Sequence, residues 1–160
     1  MLGKNFFTGT NWPDCGEIDI MEGLAGNTVD QATLHGSYPG GGDWNGGGGV
    51  TMAVSPVSSL TAGYHTFGLL WTPDEIQFIL DGYVYGSDTY NASAGTITQR
   101  IGTSSSTFNI GGQSWPFDQP FFLILQDAIP AGTSAPNGSS GTMSVNWIKY
   151  YSYNGYGAIS

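Results

Sequence analysis

The chain has 160 residues, with 3 Lys+Arg against 12 Asp+Glu and a formal net charge of −9. Aromatic residues fill 14% of it and charged residues 9%, which is too much apolar surface for a disordered chain and too few cations for a phosphate-binding patch, so nucleic acid is excluded as a partner. The lone Cys15 excludes an internal disulfide and a multi-cysteine zinc site, and no apolar run approaches the roughly 20 residues of a membrane-spanning helix.

Periodicity is that of strands throughout, with short β-branched and aromatic runs separated by Gly, Ser, Asn and Asp clusters. In chain order, strands are expected near residues 16–22, 30–36, 50–54, 64–71, 75–80, 83–86, 97–101, 107–110, 120–127 and 142–151. Asp81-Gly82, set between Ile79-Leu80 and Tyr83-Val84, is a hairpin signal, because a two-residue type I′ turn requires φ > 0 at both central positions. Residues 38–49, 87–95 and 130–141 are expected to be surface loops by composition. Asn91-Ala92-Ser93 and Asn137-Gly138-Ser139 fit the glycosylation pattern, a short match that points mainly to exposed loops. Neither a repeat nor a linker divides the sequence, so residues 1–160 are expected to form one all-β domain, a sandwich or barrel.

The first long strand carries the chemistry. Two of the chain's three glutamates fall within Glu17-Ile18-Asp19-Ile20-Met21-Glu22, with an aspartate between them. Alternation puts Glu17 and Asp19 on one face, and a bulge at Ile20-Met21 would return Glu22 to that face. Crowded carboxylates raise one another's proton affinity, so one can stay protonated while another stays ionised. Glycoside hydrolysis needs that split, and a retaining enzyme holds its two carboxyls about 5–5.5 Å apart. A solvated acidic face and a Ca²⁺ site are the competing readings of the same cluster.

Trp12-Pro13-Asp14-Cys15-Gly16-Glu17-Ile18-Asp19-Ile20-Met21-Glu22 resembles the active-site signature of glycoside hydrolase family 16, and the extra residue before Glu22 resembles its bulged, laminarinase-type branch. The similarity continues through Ala32–Gly36, His65–Gly68, Trp71–Pro73, Ile76–Gly82, Phe117–Leu125 and Val145–Tyr151 in family order. The resemblance implies a concanavalin-like β-sandwich, or jelly roll, of two antiparallel sheets. It implies retaining cleavage of β-1,3-glucan, with mixed-linkage β-1,3-1,4-glucan as a second substrate, Glu17 as nucleophile, Glu22 as acid/base and Asp19 as supporting carboxyl. It also implies an extracellular setting, although Met1–Asn5 does not look like a signal peptide. Five Trp and nine Tyr independently suit a neutral polysaccharide, since sugar rings stack on aromatic faces.

Four further residues are candidates for substrate binding: Trp12 beside the motif, His35 on the neighbouring strand within reach of Asp19, Trp115, and Gln126 where the family usually has Asn. Trp44, in the Gly-rich loop, is a weaker candidate for capping a glucan chain. Phe67, Trp71 and Trp147 read as core, and His65 has no functional case. No cofactor is expected, and no metal, since the family's calcium-binding aspartate position is Asn146 here. Family members carry strands upstream of the Trp-Pro block, so the resemblance implies a sandwich short of N-terminal strands, with exposed edges that favour self-association. Beside the enzyme stand two alternatives: a lectin-like glucan-binding module, and a fragment that needs a partner chain.

Overall fold

The computed structural model describes residues 1–23, 30–44, 51–53, 60, 63–113, 115–128 and 134–157. It divides into two compact units, Met1–Leu123 and Ile124–Ser160.

The first unit holds ten strands: β1 (Leu2–Gly3), β2 (Glu17–Gly23), β3 (Asp30–His35), β4 (Thr51–Ala53), β5 (Phe67–Trp71), β6 (Glu75–Leu80), β7 (Tyr83–Asn91), β8 (Thr96–Ile101), β9 (Ser104–Asn109) and β10 (Phe121–Phe122). They form two antiparallel five-stranded sheets, ordered β10-β1-β2-β3-β4 and β5-β6-β7-β8-β9. The expected all-β fold of two antiparallel sheets is what forms. Alternation decides which face goes inward. Ile18, Ala32 and Leu34 from the first sheet meet Ile76, Phe78, Leu80 and Ile97 from the second in one core, each such side chain contributing roughly 1.5–3 kcal/mol by its removal from water. Asp81 (φ 50) and Gly82 (φ 82) join β6 to β7 with Leu80 opposite Tyr83, the two-residue hairpin the dipeptide signals.

Several boundaries move. The 87–95 loop shrinks, because β7 runs on through Ser87-Asp88-Thr89, whose backbone pairs with β6 on one side and β8 on the other. Ladder bonds on both sides outweigh the weak strand preference of those residues. The strand expected at 107–110 starts earlier, in the serine run at Ser104. The one expected at 120–127 is reduced to Phe121–Phe122, which pairs with β1. β1 itself and a short 3-10 helix at Lys4–Thr8 lacked any readable period. In the second unit, 142–151 forms no strand, and the pairing among its described residues is the Tyr153–Tyr156 bridge. Alternating apolar residues become a strand only where a neighbouring backbone accepts the ladder.

Phe67 and Trp71 pack against the core as expected, and the Trp71 indole N–H donates to the Phe117 carbonyl at 2.8 Å. The Trp147 ring lies 4.9 Å from the Lys149 ammonium within the second unit.

Candidate active site

β2 and β3 pair so that Glu17 faces His35, Asp19 faces Thr33 and Glu22 faces Gln31, with the register slipping between Asp19 and Glu22. Ile20 and Met21 occupy that slip, so the expected bulge is present and Glu22 regains the face it would otherwise leave. Ile18 and Leu34, on the opposite face, are fully buried. One register therefore puts the apolar side chains in the core and six polar ones, Glu17, Asp19, Glu22, Gln31, Thr33 and His35, on the other side.

Each carboxyl has its own partners. Glu17 Oε2 accepts the Trp12 indole N–H at 2.7 Å. Glu22 Oε2 accepts the Thr33 hydroxyl at 3.1 Å and the Gln31 amide at 3.4 Å. Asp19 Oδ2 lies 3.0 Å from His35 Nε2, and the other ring nitrogen, Nδ1, lies 2.8 Å from Asp43 Oδ2. Burial, and then the Asp19 charge, push the Glu17 carboxyl above its usual range, while the Trp12 hydrogen bond and the His35 charge pull the other way. Burial pulls the His35 imidazolium down, but hydrogen bonds and charge from Asp19 and Asp43 outweigh it and hold the ring up to about 9. Ligand atoms of Glu17, Asp19 and His35 all lie within 4.8 Å of one another.

The carboxyls have aromatic company. Trp12 is half-exposed, with its ring 5.5 Å from that of His35. Trp115 and Trp44 are placed differently. Trp115 is 3% exposed, stacked on Tyr90 at 5.2 Å and edge-on to Phe117 at 4.6 Å. It walls a shallow polar pocket with Asn5, Asp14, Ser37 and Gln119 and presents no open ring face. Trp44 is 1% exposed, so the expected glucan cap is instead a core anchor: the loop around it turns the ring inward, against Gly36. Gln126 belongs to the second unit. Asn91 ends β7, and its side-chain oxygen accepts the Ala94 N–H at 3.1 Å, closing the turn into β8.

Three further residues meet this site, Thr33 and Gln31 on the face itself and Asp43 on the loop after β3. Thr33 and Gln31 share the period-2 face of His35 and were legible by that rule. Asp43 was not, because its approach to His35 depends on the path of a loop.

A family model described as glycosyl hydrolases family 16 matches residues 4–149. The chain is 36% identical over 121 residues to a keratan-sulfate endo-1,4-beta-galactosidase of Sphingobacterium multivorum, covering 76% of this chain and 24% of that protein. It is 32% identical over 155 residues to a glucan endo-1,3-beta-glucosidase of Cryptopygus antarcticus, covering 89% and 52%. It is 29% identical over 146 residues to a beta-1,3-glucan-binding protein of Penaeus monodon, covering 81% and 37%. The chain thus spans about half or less of the length of these relatives.

Proposed function

The chain belongs to glycosyl hydrolase family 16, and on that premise we propose that it is a retaining endo-β-glucanase acting on β-1,3-glucan, with mixed-linkage β-1,3-1,4-glucan as a second substrate. The observation that carries this reading is the bulged β2 register, which sets Glu17, Asp19 and Glu22 on one face against His35, Thr33 and Gln31.

The roles are those the family resemblance implies for these positions, and the hydrogen bonds indicate which oxygen of each carboxyl reacts. With Oε2 of Glu17 bonded to Trp12, Oε1 is the oxygen that attacks the anomeric carbon. With Oε2 of Glu22 accepting from Thr33 and Gln31, Oε1 carries the proton given to the leaving glycosidic oxygen. That step breaks the glycosidic bond and forms an ester to Glu17. Glu22, now ionised, takes a proton from water, and the resulting hydroxide displaces Glu17 with overall retention. Asp19, 3.0 Å from His35 Nε2, steadies Glu17 through the reaction. The exposed ring of Trp12 offers a sugar a stacking surface beside the nucleophile. We place this activity outside the cell, where polymeric glucan is met.

Glucan binding without turnover is the second reading, favoured by similarity to the Penaeus monodon protein. Purified protein should release reducing ends from laminarin. Glu17→Gln should lower that rate by about 10⁴-fold or more, the scale on which loss of a nucleophile acts, with an unchanged circular-dichroism spectrum. Wild-type protein that binds laminarin and releases nothing would favour the binding module instead.

A further inference from the structure

We infer that Asp43 is a positioning residue that acts through His35 on the Asp19–Glu17 pair, an inference that rests on the hydrolase reading above. Asp43 lies outside the acidic motif, on the loop after β3, and reaches the site only through the imidazole.

The loop is built to hold it. Ser37 and Asp43 form an isolated antiparallel bridge. Inside it the Tyr38 N–H donates to the Gly42 carbonyl and the Gly41 N–H to the Tyr38 carbonyl, both at 3.0 Å. Gly40, Gly41 and Gly42 all have φ near +90° (88, 92 and 94°), a conformation that side-chain-bearing residues rarely adopt. The next residue, Trp44, fixes the far end: its backbone N–H donates to the Gly36 carbonyl and its indole N–H to the Ser37 carbonyl, each at 2.8 Å. A Cβ on Gly36 would come within 2.6 Å of the Trp44 ring, so the ring is packed directly against the backbone that follows His35. Asp43 is held between a tight turn and a buried anchor, with its side chain only 15% exposed.

This placement dictates the ring's protonation. His35 has a carboxylate oxygen at each nitrogen, at 3.0 Å and 2.8 Å. A neutral imidazole has a single N–H, so it would turn a lone pair toward one of the two carboxylates; only the imidazolium satisfies both. The cation in turn lies beside Glu17 and offsets the repulsion from Asp19. Asp43 thereby sets the charge that Glu17 experiences without touching it. Of the neighbouring ionisable groups, Glu22 is engaged by Thr33 and Gln31, and the Met1 amino group, under the charges of Asp19 and Glu17, donates to the Ile18 carbonyl at 2.6 Å. Asp30 lies at the opposite end of β3, and β4 (Thr51–Ala53) brings no ionisable residue.

The test has two arms. Side-chain ¹⁵N NMR of wild-type protein at pH 7 should show His35 with both nitrogens protonated, and in Asp43→Asn the ring should titrate lower by about one pH unit or more, as expected for loss of an adjacent charge. A neutral His35 tautomer in the wild type at pH 7, or an unchanged midpoint in Asp43→Asn, overturns the inference whether or not the protein hydrolyses laminarin. In the second arm, kcat of Asp43→Asn on laminarin should fall several-fold below wild type at pH values between the lowered His35 midpoint and the wild-type one of about 9. The alkaline limb of its pH–rate profile should move to lower pH, because the ring loses its charge earlier, KM should change little, and Asp43→Glu should restore the profile. A profile superimposable on the wild type after scaling overturns the inference. An inert wild type with the predicted His35 signals contradicts the hydrolase reading alone.

Discussion

His35 and His65, the two histidines of the chain, each set Nδ1 within 2.8 Å of an aspartate, Asp43 in one case and Asp81 in the other. Around His35 a second carboxylate, Asp19, takes the remaining nitrogen, and Glu17 stands opposite on β2. Around His65, Nε2 is buried with no partner among the described residues. Asp81 spends its other oxygen on the Thr66 N–H at 2.8 Å and sits at φ +50° in the β6–β7 hairpin. One acid against a histidine ties a turn to the strand beside it. Two acids against a histidine favour its cation, and in the proposed mechanism that charge reaches the nucleophile from a loop. The same pair of residue types thus ties a turn beside one sheet and, in the proposed mechanism, serves a reaction on the other.

Substituting the two histidines alike tests that distinction. His35→Gln should lower laminarin hydrolysis by on the order of 10²-fold, the loss expected when an ion-paired partner of the catalytic pair is removed, whereas His65→Gln should leave kcat within about twofold. Equal losses would erase the distinction. Stability sharpens it. His35 has a native value of about 9, above the roughly 6.5 of a free imidazole. Its contribution is therefore full below about pH 6.5 and is lost as pH rises through about 9, by at most about 3 kcal/mol. Thermal melts of wild type should fall over that window, and those of His35→Gln should lack that part of the fall.

The smallest effect belongs to the hairpin. The backbone N–H of Thr66 and then His65 hold the Asp81 carboxyl below its usual range. Its contribution is present above about pH 4 and is lost as pH falls through the lower native value. Asp81→Asn should cost about 0.2–1 kcal/mol at pH 7, the scale of an exposed pair, with the difference from wild type shrinking in acid and with laminarin turnover unchanged. A loss of activity in that variant would tie the hairpin to the site.

The reactive strand was legible in the sequence because its signals are local. Six consecutive residues carried three acids, alternation assigned their faces, and the extra residue before Glu22 announced the bulge. Asp81-Gly82 was legible for the same reason. What escaped depended on contacts distant in sequence. Trp44 and Trp115 sit in aperiodic segments, where nothing local separates a sugar platform from a core ring; their burial follows from Phe117, Tyr90 and Gly36, residues remote along the chain or across a turn. Ser87 and Asp88 read as loop residues, yet β6 and β8 enclose them in the second sheet. Asp88 is fully buried, and that burial pushes its carboxyl well above the usual range; Gln99 faces it across the ladder without reaching hydrogen-bond geometry. A buried acid held in the fold by strand pairing leaves no pattern in its own neighbours.

The central claim is that Glu17, and not Glu22, forms a bond to the sugar. Incubation with a 2-deoxy-2-fluoro laminarioligosaccharide fluoride, followed by digestion and mass spectrometry, reads it directly, because the fluorine slows hydrolysis of the intermediate and lets the ester accumulate. A single added glycosyl group is expected on the peptide that contains both glutamates, located by fragmentation at Glu17 and absent from Glu17→Gln. The adduct at Glu22, or hydrolysis of laminarin that inverts the anomeric configuration with no adduct, would contradict it.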